Sequence, residues 1–293
     1  MKKWFVNPSG GWRSGWDILA VVAACFLLTA LFSMLFSLNI GGRSLFPHAA
    51  WMELLKTSGP YIMIVIVFTV KVVQKRSLSS IGLTRPDGRN FAGGFIFGGL
   101  SIMLVLGVLW LLDQLTLQGR LGSPDFSNID PVNLLITALF AGICEEALFR
   151  GYIQHTLARR MPIFLAVLIT SAAFSLAHLP NPGYSFLSFL NILLIAFFFS
   201  LMTLRTGNIY FAMAYHTAWN LFQGDIFGTS VSGTLFHGIY PLKLSGSSWL
   251  TGGDFGLEGG LVTTALLIVL NLLVGIPMLR NSSAYRSAYQ QRL

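Results

Sequence analysis

Eight stretches of this chain are apolar enough, and long enough, to lie in hydrocarbon, and they constrain the fold more than any motif. They cover residues 16–40, 55–73, 91–115, 132–156, 162–179, 185–204, 208–224 and 259–279. A helix needs about 20 such residues to cross a bilayer core. Only helices and closed barrels satisfy their backbone polar groups there. These stretches do not alternate with period two, so the expectation is an all-α, polytopic integral membrane helix bundle with about eight transmembrane helices. Charged residues make up 10% of the chain, against about 25% in a soluble domain.

The net charge of +8 raises nucleic acid as a partner, and the placement of the charges excludes it. Lys2, Lys3 and Arg13 precede the first stretch. Lys75, Arg76, Arg85 and Arg89 fall between the second and third. Arg159 and Arg160 follow the fourth, Arg205 the sixth, and Arg280, Arg286 and Arg292 the last. The alternate connections hold only Arg43, Arg120 and Lys243. Under the positive-inside rule this puts both termini in the cytoplasm, in the cytoplasmic membrane if the source is bacterial. The first stretch is longer than a signal-peptide core and reads as a retained span.

Three regions follow: 1–130, the first three helices with a cytoplasmic linker; 131–225, the core helices four to seven; and 226–293, an extracytoplasmic loop, the last helix and a cytoplasmic tail. Glycine in FAGGFIFGG, at the start of the third helix, predicts close approach of a neighbouring helix. The Gly- and Ser-rich connection 225–258 reads as a disordered connector, with a lid or substrate-facing element as the alternative. Cys25 and Cys144 both lie in apolar stretches and predict no disulfide. Asn191 and Asn271 read as polar glue between helices, and His155 as an interfacial residue.

Inside the fourth stretch stand Glu145, Glu146 and Arg150. Charge in hydrocarbon is costly and marks function by default. Glu146 and Arg150 are four apart and share a helix face. Glu145 is turned by about 100° and meets a different neighbour. The pair therefore predicts a structural clamp, with Glu145 left for chemistry. Phe174 and His178 share a face of the fifth stretch, and His216 and Asn220 a face of the seventh.

These three blocks, EEALFR at 145–150, FSLAH at 174–178 and HTAWN at 216–220, resemble the CPBP family, the CAAX-protease and bacteriocin-processing group also called Abi proteins. The specific likeness spans about residues 135–225. The resemblance implies an intramembrane endopeptidase of the CAAX-prenyl-protease type. Carried onto matching positions, Glu145 and His178 would activate water, His216 and Asn220 would form the oxyanion hole, and Glu146 and Arg150 would hold the site. That fits the needs of peptide hydrolysis: a base for water and donors for the tetrahedral oxyanion.

The implied partners are membrane lipid and a peptide or protein substrate, membrane-anchored or lipidated. Zinc held by Glu145, His178 and His216 is one reading of the cofactor question. The absence of His-Glu-x-x-His favours the other, a metal-free glutamate mechanism. The competing functions are a non-catalytic immunity or partner-binding protein of the same fold and a proton-coupled transporter. Cys144 is adjacent to Glu145, but a buried thiol behaves as a small hydrophobe.

Overall fold

The computed structural model describes residues 14–40, 43–44, 57–119, 123–128 and 142–280, with Pro131, Leu134 and Ile136. The basic N-terminus, residues 137–141 and the tail with Arg286 and Arg292 lie outside the described residues.

The protein is a helical membrane bundle. Helix α1 (Ser14–Phe36) is apolar all round and little buried, so its Phe26 and Leu27 face lipid. Helix α2 (Gly59–Phe68) has proline in its first turn, where a missing N–H costs nothing, and runs on as a π-helical turn, Thr69–Val73. Helix α3 (Gly88–Leu111) is capped by Asp87, whose Oδ1 accepts from the Asn90 N–H at 3.0 Å. The fourth stretch is a broken helix: α4 (Gly142–Glu146), a π-helix (Ala147–Ile153) and α5 (Gln154–Ala158). Then come α6 (Ile163–Ala177), α7 (Phe186–Thr206), capped by Ser185, and α8 (Tyr210–Asn220), which continues as a π-helix through Leu221–Ile226. A short α9 (Ser248–Thr251) precedes the last helix, α10 (Leu261–Arg280).

Among the described residues four helices are long and apolar enough to span a bilayer: Gly15–Phe36, Gly88–Leu111, Phe186–Thr206 and Leu261–Arg280. Two shorter apolar helices, Gly59–Val73 and Ile163–Ala177, bring the range to between four and six, which corrects the expectation of eight. The reason is helix length and continuity: α8 has eleven residues and the described part of the fourth stretch is broken into short pieces, and both are buried. Along α8 the residues from Phe211 to Asn220 are buried almost without interruption, and the same holds from Glu146 to Leu157. Their apolar character serves contact with protein on every side, and hydropathy does not separate that from contact with lipid.

α8 is held at the centre by α3. A Cβ on Gly94 would collide with the Phe211 carbonyl, and one on Gly98 would lie 2.5 Å from the Tyr215 carbonyl oxygen. The close approach expected of FAGGFIFGG is what α3 makes.

The connection 225–258 is ordered, against the expectation of a disordered connector. Its strand Leu242–Leu244 pairs antiparallel with Leu115–Leu117, Leu115 opposite Leu244. Val231 and Thr234 close a two-residue turn through hydrogen bonds of 2.9 and 2.8 Å. Ser232 and Gly233 both have positive φ, +45° and +84°, the conformation such hairpins require. Backbone pairing and a well-chosen turn outweigh the flexible composition.

Candidate active site

The Glu146 carboxylate is fully buried and serves two partners. Its Oε1 accepts from Arg150 Nη1 at 2.7 Å and from His216 Nδ1 at 3.1 Å. Helical spacing supplies the first contact. The second needs α8 beside α4, and the α3 glycines help hold α8 in place. Arg150 is also fully buried. Its guanidinium lies 4.2 Å from the Phe174 ring centroid and 5.2 Å from that of Phe199. Those ring faces compensate part of its desolvation. The π-helical turn carrying Arg150 suits a functional site; the Arg150 carbonyl accepts from His155 Nδ1 at 2.8 Å. His155 is therefore buried, not interfacial.

Phe174 is the hub. Its ring centroid is 4.9 Å from that of His178 and 6.0 Å from that of His216, and Phe149 meets it edge-on at 5.0 Å. His178 caps α6 and donates its Nδ1–H to the Phe174 carbonyl at 2.8 Å. That bond fixes the tautomer and leaves the Nε2 lone pair as the free acceptor. His216 is oriented by Glu146, toward which its Nδ1–H points, with Nε2 left on the other side of the ring.

Both imidazoles line one cavity of about 30 Å³, with Phe174, Phe199, Trp219, Asn191, Ser232 and Glu258. His178 stands at the C-terminal end of the fifteen-residue α6, where it meets His216 across the cavity. Beyond His178 the 179–184 turn docks on the ordered loop, where Asn181 Nδ2 donates to the Ser232 carbonyl at 2.9 Å.

Glu145 is half-buried and Asn220 buried, and neither lines this cavity. Asn220 Oδ1 has no hydrogen-bond partner among the described residues. The structure thus joins Glu146, Arg150, Phe174, His178 and His216 directly, and leaves Glu145, next to Glu146, and Asn220, one helical turn beyond His216, outside the cavity lining.

Glu258 and Asn191 are among the cavity residues that come from outside the motifs. Glu258 Oε2 accepts from the Ser232 N–H and Oγ, both at 2.7 Å. Asn191 pins the same segment: its Nδ2 donates to the Glu258 and Gly260 carbonyls at 2.8 and 2.9 Å, and its Oδ1 accepts from Thr264 at 2.7 Å. Asn191 and Asn271 both act as glue, Asn271 through the Leu194 carbonyl. Burial pushes the Glu258 carboxyl up, against the Ser232 hydrogen bonds and the nearby His178 and His216. The sequence signal for Glu258 was slight: one acid between glycines at the edge of the last apolar stretch.

Among the described residues no three His, Cys, Asp or Glu side chains gather closely enough to hold a metal ion. The proposed zinc set of Glu145, His178 and His216 therefore has no ready-made cage here.

Fold and site together define a polytopic membrane protein with a buried polar site between its helices. Residues 127–222 match a protein-family model described as type II CAAX prenyl endopeptidase Rce1-like. The matched segment contains every motif residue, and the match supports the CPBP, or CAAX-protease, family and a peptide-hydrolase activity in general. A search of curated proteins gave no match.

Proposed function

We propose that the protein is an intramembrane endopeptidase that hydrolyses a peptide bond with side-chain-activated water. The carrying observation is the pair of oriented imidazoles in one cavity: His216 held by the Glu146–Arg150 pair, and His178 held by the Phe174 carbonyl.

A cavity of about 30 Å³ has room for about two waters, at 10–15 Å³ each by this measure. His178 Nε2 takes a proton from the attacking water, with Glu145 as the supporting carboxylate on the family pattern. His216, paired as an imidazolium with Glu146, donates from Nε2 to the tetrahedral oxyanion, and Asn220 is the second donor. The proton held on His178 then passes to the leaving amine. The Glu146–Arg150 pair keeps its orientation throughout. A peptide is far larger than the cavity, so the Ser232 turn and the Glu258 segment part to admit it.

The substrate is a membrane-anchored or lipidated peptide or protein, and the site is metal-free. The test uses purified protein in detergent with a prenylated CAAX peptide and, separately, unmodified quenched peptides. Cleavage by the wild type that disappears in Glu145→Ala and His178→Ala, with both variants folded, supports the reading. Full activity in either variant overturns the site assignment. Stoichiometric zinc in active protein, with activity lost on stripping and restored on return, overturns the metal-free mechanism. Ion- or proton-coupled uptake into liposomes without proteolysis favours the transporter.

A further inference from the structure

Away from the imidazole cavity, α1, α2 and the Tyr152–Arg160 stretch enclose a cleft of about 610 Å³. All three walls are graded in the same sense. On α1 the lining residues run from Ala24 through Val21 to Asp17; on α2, from Val65 through Thr69 to Gln74 and on to Arg76; on the third wall, from Tyr152 through Thr156 to Arg159 and Arg160. Each wall is apolar or weakly polar at one end and charged at the other.

The charged ends converge on one place. Arg76 Nη2 and Arg159 Nη2 both donate to the Ser80 carbonyl, at 3.2 and 3.4 Å. Arg160 and Arg76 both act electrostatically on Asp17. Three guanidiniums against one carboxylate leave two uncompensated positive charges at this end. Arg160 is exposed, and its guanidinium makes no hydrogen bond among the described residues. Deeper in, Thr156 is 4% exposed, and its Oγ1 has no hydrogen-bond partner among the described residues. The positive-inside rule accounts for basic residues in a loop. It does not account for an apolar floor built by three helices beneath them.

We propose that this cleft binds an anionic phospholipid, with its phosphate against Arg76, Arg159 and Arg160 and an acyl chain along Val21, Ala24 and Val65. Basic clefts between membrane helices take such headgroups, each Arg contributing about a fewfold in affinity. The binding is independent of the protease reading and survives its failure.

The test is native mass spectrometry of the purified full chain, titrated with phosphatidylglycerol or phosphatidylcholine, with inorganic phosphate as competitor. Phosphatidylglycerol is expected to bind on the order of tenfold more tightly than phosphatidylcholine. Two variants separate head from tail. Arg160→Ala removes an exposed charge and should weaken phosphatidylglycerol severalfold. Ala24→Phe fills the apolar floor without changing charge and should weaken it as well. Equal binding of the two lipids overturns the proposal. So does undiminished binding in Ala24→Phe, which makes the site a surface charge effect. Displacement of the lipid by millimolar phosphate, with phosphate bound equally by Ala24→Phe, makes it a free-anion site and also overturns it.

Discussion

Glu146 Oε1 lies 3.1 Å from His216 Nδ1, across seventy residues of chain, while it holds Arg150 at 2.7 Å. One buried carboxylate oxygen therefore neutralises a buried guanidinium and orients an imidazole. Glu146 is more than the clamp partner its spacing to Arg150 implies, because the clamp and the His216 ring orientation are set by the same atom.

Glu146→Ala leaves Arg150 buried without its counter-charge, which costs about 3–5 kcal/mol. A large drop in thermal stability in detergent is the expected result. Glu146→Ala combined with Arg150→Met should recover most of that stability without recovering cleavage. Recovery of cleavage in the double variant would show that the pair is not needed to orient His216.

Substitution at the working positions should separate activity from stability. Glu145→Ala and His178→Ala are expected to abolish peptide cleavage with the bundle intact by circular dichroism. Asn220→Ala should lower kcat by about 10²–10³, the cost of one oxyanion donor. A change confined to KM would assign Asn220 to substrate binding instead.

The segment over the cavity should loosen when its staple is cut. Asn191→Ala removes the hydrogen bonds to the Glu258 and Gly260 carbonyls and leaves the Thr264 hydroxyl with the Gly260 carbonyl at 3.2 Å. A destabilisation of about 1–3 kcal/mol is expected, with faster hydrogen exchange at residues 253–260 while α7 is unaffected. Unchanged exchange there would mean that the Ser232–Glu258 contact holds the segment by itself.

Gly98→Leu should act on the site from a distance. Its side chain would enter the space of the Tyr215 backbone, adjacent to His216. Thermal stability and activity are both expected to fall. Overpacking of this kind typically costs about 1–3 kcal/mol.

Asp87 gives a pH dependence with a definite sign. The Asn90 backbone hydrogen bond, with smaller contributions from the Asn90 and Asn208 side chains, holds its carboxyl below the ordinary aspartate range. Its stabilisation is present above the unfolded-state pKa and is lost as pH falls through the lower folded-state value. The Tm difference between wild type and Asp87→Ala should thus be constant near neutrality and vanish in strong acid. A difference that persists there would come from packing.

Some of this architecture was legible in local spacing. Glu146 and Arg150 at i,i+4 share a face in any helix, and Gly94 and Gly98 leave room for a neighbour whatever that neighbour is. The i,i+4 pair Phe174 and His178 likewise yields both the ring contact and the tautomer-fixing carbonyl. The span count was not legible, since the short, buried α8 lies within an apolar stretch that reads like a lipid-facing span. Nor was the role of Glu258: its partner Ser232 is placed by a hairpin in a stretch whose composition suggests no order.

By itself the sequence determined a helical membrane bundle, the helix faces and the set of polar residues placed at cost in apolar surroundings. Helical periodicity is a local property, and the desolvation of charge is independent of partner. Only the tertiary structure decided that Glu146 binds His216, that both histidines share a cavity, and that the 225–258 loop covers it. Those relations depend on the packing of helices distant in sequence, which periodicity and hydropathy do not specify.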